Sequence, residues 1–155
     1  MERPEDLSFE VALDCTPSAA WRCWTEAALL KRFFAPEPGR TEEAVIEPVP
    51  GGRFYTKMVF DEFGEMAGEG CILHVEPGRR LVFTDALSAG WRPNASGFFT
   101  VDLRFIPGEA SGCLYRVTAR HADAEAAQRH AEMGFISGWT QVARQLERVA
   151  QTLKP

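Results

Sequence analysis

Two histidines near the end of the last predicted strand are the residues whose type and spacing could do acid–base chemistry. His121 ends that strand on the face that points inward, and His130 follows with Asp123 and Glu132 close by in the sequence. A histidine next to a carboxylate can act as a general base, because the imidazole ring titrates near neutral pH. The same two rings could instead hydrogen-bond to turn backbone and tie the strand to the following helix.

Two further carboxylates, Asp85 and Asp102, lie in the central part of the chain and could assist such a base. We therefore name His121, Asp85 and Asp102 as the candidate catalytic residues of a cavity enzyme, either a cyclase or a hydrolase. Such an enzyme would carry at least one ionisable group with a shifted pKa in its cavity. The sequence contains no G-x-S-x-G motif, Walker loop or dinucleotide fingerprint, so enzyme activity stays open and a non-enzymatic role is favoured.

The residue types that bind metals are too scattered to predict a metal site, and no cofactor is predicted. The three histidines show no H-x-x-x-H or H-x-H spacing, and the four cysteines form no C-x-x-C pair. A zinc site needs several ligands that converge on one point. We interpret the cysteines as buried free thiols: Cys15, Cys23, Cys71 and Cys113.

The length and charge of the chain limit its architecture and its partners. A chain of 155 residues can build one core, and we predict a single domain over residues 1–155. The net charge of −5, with no run of lysines or arginines, argues against a nucleic-acid partner. No apolar stretch approaches the roughly 20 residues of a membrane helix. The first residues, MERPEDLSFE, lack the apolar core of a signal peptide, so we expect no membrane insertion and a cytoplasmic location.

The first part of the chain predicts one strand and two short helices. LSFEVALD (7–14) alternates apolar and polar residues, which is typical of a strand with one buried face. Thr16 is a suitable N-cap, and Pro17 suits the first position of a helix. AALLKRFF (27–34) predicts a second short helix, which the prolines and glycine of residues 36–39 end.

Turn signals divide residues 40–121 into six strands. The signals fall in five places: residues 50–52, 61–65, 76–79, 88–97 and 107–112. The short spacings suit hairpins, so the strands should form an antiparallel meander. In residues 54–60 and 99–105 the apolar side chains share one face, so one side of the sheet should be buried and the other exposed.

The last part of the chain predicts a long helix with one apolar stripe. The stripe recurs at spacings of three and four: Phe135, Trp139, Val142, Leu146, Val149 and Leu153. Gly134 and Gly138 lie on one side of this helix, although a glycine inside a helix costs about 0.5 to 1 kcal/mol relative to alanine. Two interpretations stay open: close packing with a helix joint near Gly134, or room left for a ligand.

The order of the predicted elements indicates an α+β fold of the helix-grip type. Seven antiparallel strands should form a curved sheet, with two short helices after the first strand. The long C-terminal helix should lie across the concave face, because the sheet is the surface available to receive its apolar stripe.

Five segments of the sequence carry a family resemblance. They are PSAAWRCWTEAALLKRFFAP (17–36), PGGRF (50–54), VEPGRRLVFTDAL (75–87), GWRP (90–93) and HADAEAAQRHAEMGFISGWTQVARQL (121–146). In these segments the chain resembles the START-like or SRPBCC superfamily, also called the birch-allergen fold. The branch it resembles is related to the C-terminal domain of the activator of the heat-shock-protein-90 ATPase. The resemblance implies a cavity between helix and sheet, in a superfamily that includes ligand carriers, polyketide cyclases, co-chaperone domains and many bacterial proteins.

From the cavity and the aromatic content we predict that the chain binds a small hydrophobic or amphipathic molecule. The predicted ligand-binding residues are Trp24, Phe33, Phe54, Met58, Phe60, Trp91, Phe99, Tyr115, Phe135, Gly138 and Trp139. Trp91 is a candidate lid over the cavity mouth, because it lies in a loop rich in turn residues. The expected pocket measures a few hundred Å³.

Two alternatives to ligand binding remain. The cavity enzyme described above would place an ionisable group in the pocket. A co-chaperone-like interaction protein would work through its surface, and it would have a filled interior and a sizeable exposed apolar patch. An exposed sheet edge could also pair two chains in a homodimer.

Overall fold

The computed structural model describes residues 3–153; the ends of the predicted domain, residues 1–2 and 154–155, lie outside the described residues. The strands are β1 (Asp6–Leu13), β2 (Arg40–Ile46), β3 (Arg53–Phe60), β4 (Gly64–Glu76), β5 (Arg80–Thr84), β6 (Leu87–Ser88), β7 (Arg92–Pro93), β8 (Thr100–Pro107) and β9 (Cys113–Arg120). The α-helices are α1 (Pro17–Thr25), α2 (Ala27–Leu30), α3 (Ala124–Glu132) and α4 (Phe135–Ala150). A short 3-10 turn spans Glu109–Ser111.

Seven strands form the main antiparallel sheet, in the order β1-β9-β8-β5-β4-β3-β2. The short β6–β7 hairpin lies beside it as a separate sheet, within the segment that the sequence predicted as a loop. The predicted α+β helix-grip fold, with its seven strands and its short helices after β1, is confirmed.

The core lies between the inward face of the sheet and the helices α1 and α4. Trp24 of α1 is fully buried, and its indole nitrogen donates a hydrogen bond of 3.1 Å to the hydroxyl of Tyr115 on β9. From α4, Ala143 and Leu146 are also fully buried. Burial of each large apolar side chain stabilises the fold by about 1.5 to 3 kcal/mol, so this packing fixes the position of α4 on the sheet.

The second short helix ends earlier than the sequence predicted. It stops at Leu30, and a turn carries the chain through Phe33 and Ala35. The side chain of Gln145 on α4 holds this turn, because its amide nitrogen donates 2.8 Å hydrogen bonds to the carbonyls of Phe33 and Ala35. The turn therefore depends on a tertiary contact that helical periodicity does not reveal.

The long C-terminal helix is divided into α3 and α4 at Met133 and Gly134. Gly134 has φ of +92°, in the left-handed region that favours glycine, and it precedes the first turn of α4. Thus the helix joint, which was one of the two sequence interpretations, is present. Gly138 has a different environment, because a Cβ atom built there would meet no other atom within 4 Å.

Within residues 3–153, no helix combines the length and the apolar character that crossing a membrane would need.

Candidate functional site

An apolar cavity of about 350 Å³ lies between α4 and the sheet. Its walls are formed by Phe34, Pro36, Met58, Met66, Phe98, Phe99, His130, Met133, Gly134, Phe135, Gly138, Trp139 and Val142. Met66 and Met133 are 49% and 74% exposed, so they mark its mouth. His130 is the polar side chain in this lining; the others are hydrocarbon, thioether, indole or glycine.

A smaller compartment of about 160 Å³ adjoins the main cavity. The two share Phe34, Met58 and Phe99, which form the boundary between them. The smaller compartment is more polar, with lining residues Phe54, Thr56, Gly68, Glu69, Gly70, Phe83, Thr84 and Asp85 in addition to the shared three.

The missing side chain at Gly138 keeps the main cavity open. Gly138 lies in the first turns of α4, on the cavity wall, and its amide donates a 2.8 Å hydrogen bond to the carbonyl of Gly134. Because nothing lies within 4 Å of its Cβ position, no close approach of backbone requires glycine here. A larger side chain would enter the space that the cavity occupies.

Stacked aromatic rings give the cavity a firm wall. Trp139 stacks on the buried Trp24 with ring centroids 6.3 Å apart and planes 10° from parallel. The ring of Phe135, one turn earlier on α4, lies 6.1 Å from that of Trp139. Aromatic pairs at these distances add about 0.5 to 1.5 kcal/mol beyond their burial. The wall is therefore formed before any ligand arrives.

Asp85 positions two aromatic residues of the cavity. One oxygen of its carboxylate accepts hydrogen bonds from the backbone amides of Phe98 and Phe99, at 2.7 and 3.0 Å. Those bonds fix the segment that enters β8. Asp85 also lines the smaller compartment, but the described residues show no hydrogen bond between it and His121.

Asp102, the third candidate catalytic residue, lies on the face of the sheet opposite the cavity. It is 2% exposed, where the alternation of β8 predicted an exposed position. Arg80 donates two hydrogen bonds to it, at 3.0 and 2.8 Å, and Arg120 donates one at 3.1 Å. Burial raises the pKa of this carboxyl, but the arginine hydrogen bonds outweigh burial and hold the pKa below its usual value. The structure does not bring Asp102 together with His121, because the alternation of β8 places its side chain on the other face.

His121 and His130 form a buried pair at the edge of the main cavity. His121 Nε2 and His130 Nδ1 are 2.8 Å apart, and His121 Nδ1 lies 2.8 Å from the backbone carbonyl oxygen of Glu5. Burial, and to a smaller degree the neighbouring His121, lowers the pKa of His130 to about 4. The ring-to-ring contact ties the end of β9 to α3, and the contact with Glu5 ties it to the segment before β1. His130 also lines the main cavity.

Six of the predicted ligand-binding residues line a compartment. Met58, Phe99, Phe135, Gly138 and Trp139 line the main cavity, and Phe54 lines the smaller one. Three others lie in the packed core: Trp24, Phe33 and Tyr115. Burial raises the pKa of Tyr115, whose hydroxyl is occupied by Trp24.

The remaining two, Phe60 and Trp91, lie away from both compartments. Phe60 packs edge-to-face on Phe63, with ring centroids 6.0 Å apart. Trp91 is 54% exposed in the β6–β7 hairpin, where the glycine at position 51 accommodates its ring. The proposed lid position of Trp91 is therefore not observed, because the hairpin directs its ring onto Gly51.

Sequence reasoning missed several cavity residues that lie in turns. Phe98 and Met133 flank a strand and a helix, where periodicity assigns no face, and Phe34 lies in a turn although the sequence predicted it inside the second helix. A large apolar residue beside turn residues was the available signal. That signal does not predict which of these side chains lie together around one cavity.

The chain is similar to one protein family in sequence and to several solved structures in fold. The family model described as Activator of Hsp90 ATPase homolog 1-like protein matches residues 14–151. A crystal structure from Nitrosomonas europaea shares 32% identity and a TM-score of 0.93, covering 98% of this chain and 97% of that one. An AHSA1-like protein from Aeromonas hydrophila, solved by NMR, has 21% identity and a TM-score of 0.69, covering 95% and 92%. A Rhodobacter sphaeroides protein has 20% identity and a TM-score of 0.83, covering 99% and 97%. No curated protein matches the chain.

Proposed function

The chain belongs to the Activator of Hsp90 ATPase homolog 1-like family, and from that premise we propose that it binds a small apolar or amphipathic molecule between α4 and the sheet. The observation that carries this proposal is the apolar cavity of about 350 Å³, kept open at Gly138. Its volume falls within the roughly 300 to 1,000 Å³ of small-molecule sites. Binding that buries about 200 Å² of apolar ligand surface would gain about 5 kcal/mol before entropic costs.

Native mass spectrometry of protein purified from its own host tests this proposal directly. We expect a small molecule that remains bound in the gas phase and is released on denaturation. A neutral aromatic probe, 1-methylnaphthalene, should also shift the amide resonances of residues around Gly138 in ¹H–¹⁵N spectra. If native mass spectrometry finds no co-purifying molecule and the probe causes no shift, the binding function is overturned.

A matched pair of leucine variants tests whether the ligand binds in the main cavity. Gly138→Leu should weaken 1-methylnaphthalene binding at least tenfold, because the new side chain occupies the ligand space. Ser137→Leu adds a similar side chain at the neighbouring exposed position, outside the cavity lining, and should leave the affinity within about twofold. Equal losses in both variants would point to a general effect on the helix.

A proton-transfer enzyme is the second candidate, and the lowered pKa of His130 is the observation that supports it. The carboxylates predicted to assist are engaged with other partners. Asp102 is on the opposite face, and Asp123 caps α3 through a 2.8 Å bond to the amide of Ala126. Asp85 lines the smaller compartment, but its carboxylate accepts from two backbone amides and does not hydrogen-bond to His121. A base with a pKa near 4 is also poorly matched to neutral pH. Ligand binding is therefore the better-supported function.

The sequence also predicts a ligand, a cellular location and an oligomeric state, and these predictions are part of the proposal. A small apolar molecule is the proposed ligand. A cytoplasmic location and a homodimer through a sheet edge remain predictions. The co-chaperone-like alternative predicted a filled interior, and the cavity counts against it. Size-exclusion chromatography with light scattering would determine the oligomeric state.

A further inference from the structure

The backbone of Glu5 fixes the proton positions in the His121–His130 pair. A carbonyl oxygen can only accept, so His121 Nδ1 must carry the hydrogen of the 2.8 Å contact with Glu5. In the neutral ring, His121 Nε2 is then an acceptor. The 2.8 Å contact between the two rings therefore requires a donating N–H at His130 Nδ1. His130 Nε2 is left as a lone-pair acceptor.

The surroundings of His130 disfavour a charge on its ring. His121 and His130 are 9% and 8% exposed. The rings of Phe98, Phe99 and Phe135 lie with centroids 4.9 to 5.0 Å from that of His130. An ionised ring in such an environment loses hydration that the aromatic neighbours do not replace.

The charged groups near the pair are engaged elsewhere. The carboxylate of Glu5 pairs with Arg3 at 3.4 Å, and that of Asp123 accepts from the amide of Ala126. In residues 3–153, no carboxylate hydrogen-bonds to either imidazole. The pair therefore lacks the anionic partner that would stabilise a proton on it.

We propose that the cavity selects a neutral apolar molecule with a hydroxyl group, whose hydrogen is donated to His130 Nε2. This inference rests on the proposed binding function and names the chemical class of its ligand. The main cavity offers one polar side chain, His130, in an otherwise apolar wall. It therefore matches an apolar ligand with one polar group, placed against His130. Carbonyl and carboxylate groups bring only lone pairs to this nitrogen, so they would require an extra proton on the pair.

Imidazole ¹⁵N NMR of the free protein tests the proton positions without any variant. Long-range ¹H–¹⁵N spectra at pH 7 should show protonated Nδ1 and unprotonated Nε2 in both rings. A protonated His130 Nε2 would overturn the inference, because the cavity would then present a donor. This test is independent of whether any probe binds.

Three probes of similar size test the ligand class in the intact protein. In ¹H–¹⁵N titrations at pH 7, 1-naphthol should bind about tenfold more tightly than 1-methylnaphthalene, as one added hydrogen bond predicts. The anion 1-naphthoate should bind more weakly than either. In His130→Leu the preference for the hydroxyl should disappear while 1-methylnaphthalene still binds.

The outcomes separate this inference from the binding function on which it rests. Binding of 1-methylnaphthalene with no preference for 1-naphthol, or with a preference for 1-naphthoate, overturns the ligand class and leaves the binding function standing. Failure of all three probes, together with no co-purifying molecule in native mass spectrometry, overturns the binding function, and the ligand class falls with it. If His130→Leu does not fold, the wild-type affinity order and the ¹⁵N shifts still decide the question.

Discussion

The two halves of α4 carry the same apolar stripe but pack differently. In the C-terminal half, Leu146 and Ala143 are fully buried. In the N-terminal half, Trp139 is partly exposed and Gly138 faces open space on the cavity wall. The comparison shows that an apolar stripe identifies the inward side of a helix without saying whether protein atoms or a cavity lie opposite it. We infer that the packed half supports the fold and the open half supports binding.

The largest effect is expected in the packed half. Leu146→Ala should lower the free energy of unfolding by about 2 to 5 kcal/mol, because a fully buried leucine leaves a cavity that the surroundings only partly fill. Urea denaturation measures this change. Binding of 1-methylnaphthalene should be preserved wherever the variant is folded; a large loss of affinity would break the proposed division of α4.

Acid should destabilise the fold through His130 of α3, which lines the cavity beside the open half of α4. The pKa of His130 is about 4 in the folded protein and near 6.5 in the unfolded chain, so between these values the unfolded state binds the extra proton. Stability should therefore rise with pH across this window, by about 1 to 3 kcal/mol in total from this group.

Urea denaturation of wild type and His130→Leu at several pH values isolates the contribution of His130. The difference in unfolding free energy between the two proteins should grow from pH 4 to pH 6.5 and then level off. Parallel profiles would mean that His130 is protonated in the folded state as readily as in the unfolded one.

The two helix glycines should respond to alanine with opposite signs. Gly134→Ala should lower the unfolding free energy by about 1 to 2 kcal/mol, because φ of +92° strains any residue with a Cβ. Thermal denaturation would show the loss. An unchanged melting temperature would mean that the α3–α4 joint can form without a left-handed residue.

Gly138→Ala should have the smallest effect and stabilise the protein by about 0.5 to 1 kcal/mol. The added methyl group meets no atom within 4 Å, and alanine is the better helix former. The same denaturation experiment measures it, with Gly134→Ala as the contrasting variant. A destabilisation by Gly138→Ala would show that the added methyl group clashes with neighbouring atoms and that the space at Gly138 is not open.

The residues of β3 and β8 show how far sequence patterns reach. Alternation identified the inward residues Phe54, Met58 and Phe99, and all three line a compartment. The same alternation predicted an exposed Asp102, which is buried because Arg80 and Arg120 converge on it from neighbouring strands. Alternation predicts the face of the sheet, whereas burial depends on the side chains across the strands.

The cavity residues follow a similar rule. Phe135 and Trp139 were found from helical spacing, while Trp24 and Tyr115 were assigned to the site but lie in the packed core. Each of these aromatic residues lies on the predicted inward face of its own helix or strand, so the pattern does not separate the two groups. Their different positions arise from the stacking of Trp139 on Trp24, which places one ring at the cavity and the other behind it.

The sequence by itself determined the order of the elements, the seven strands and the inward side of α4, because backbone periodicity and turn chemistry are local properties of the chain. The tertiary structure decided where space remains, how the His121–His130 pair holds its protons and where Trp91 packs. Those features arise from atoms that are distant in the chain and meet only when it folds, so no local pattern records them.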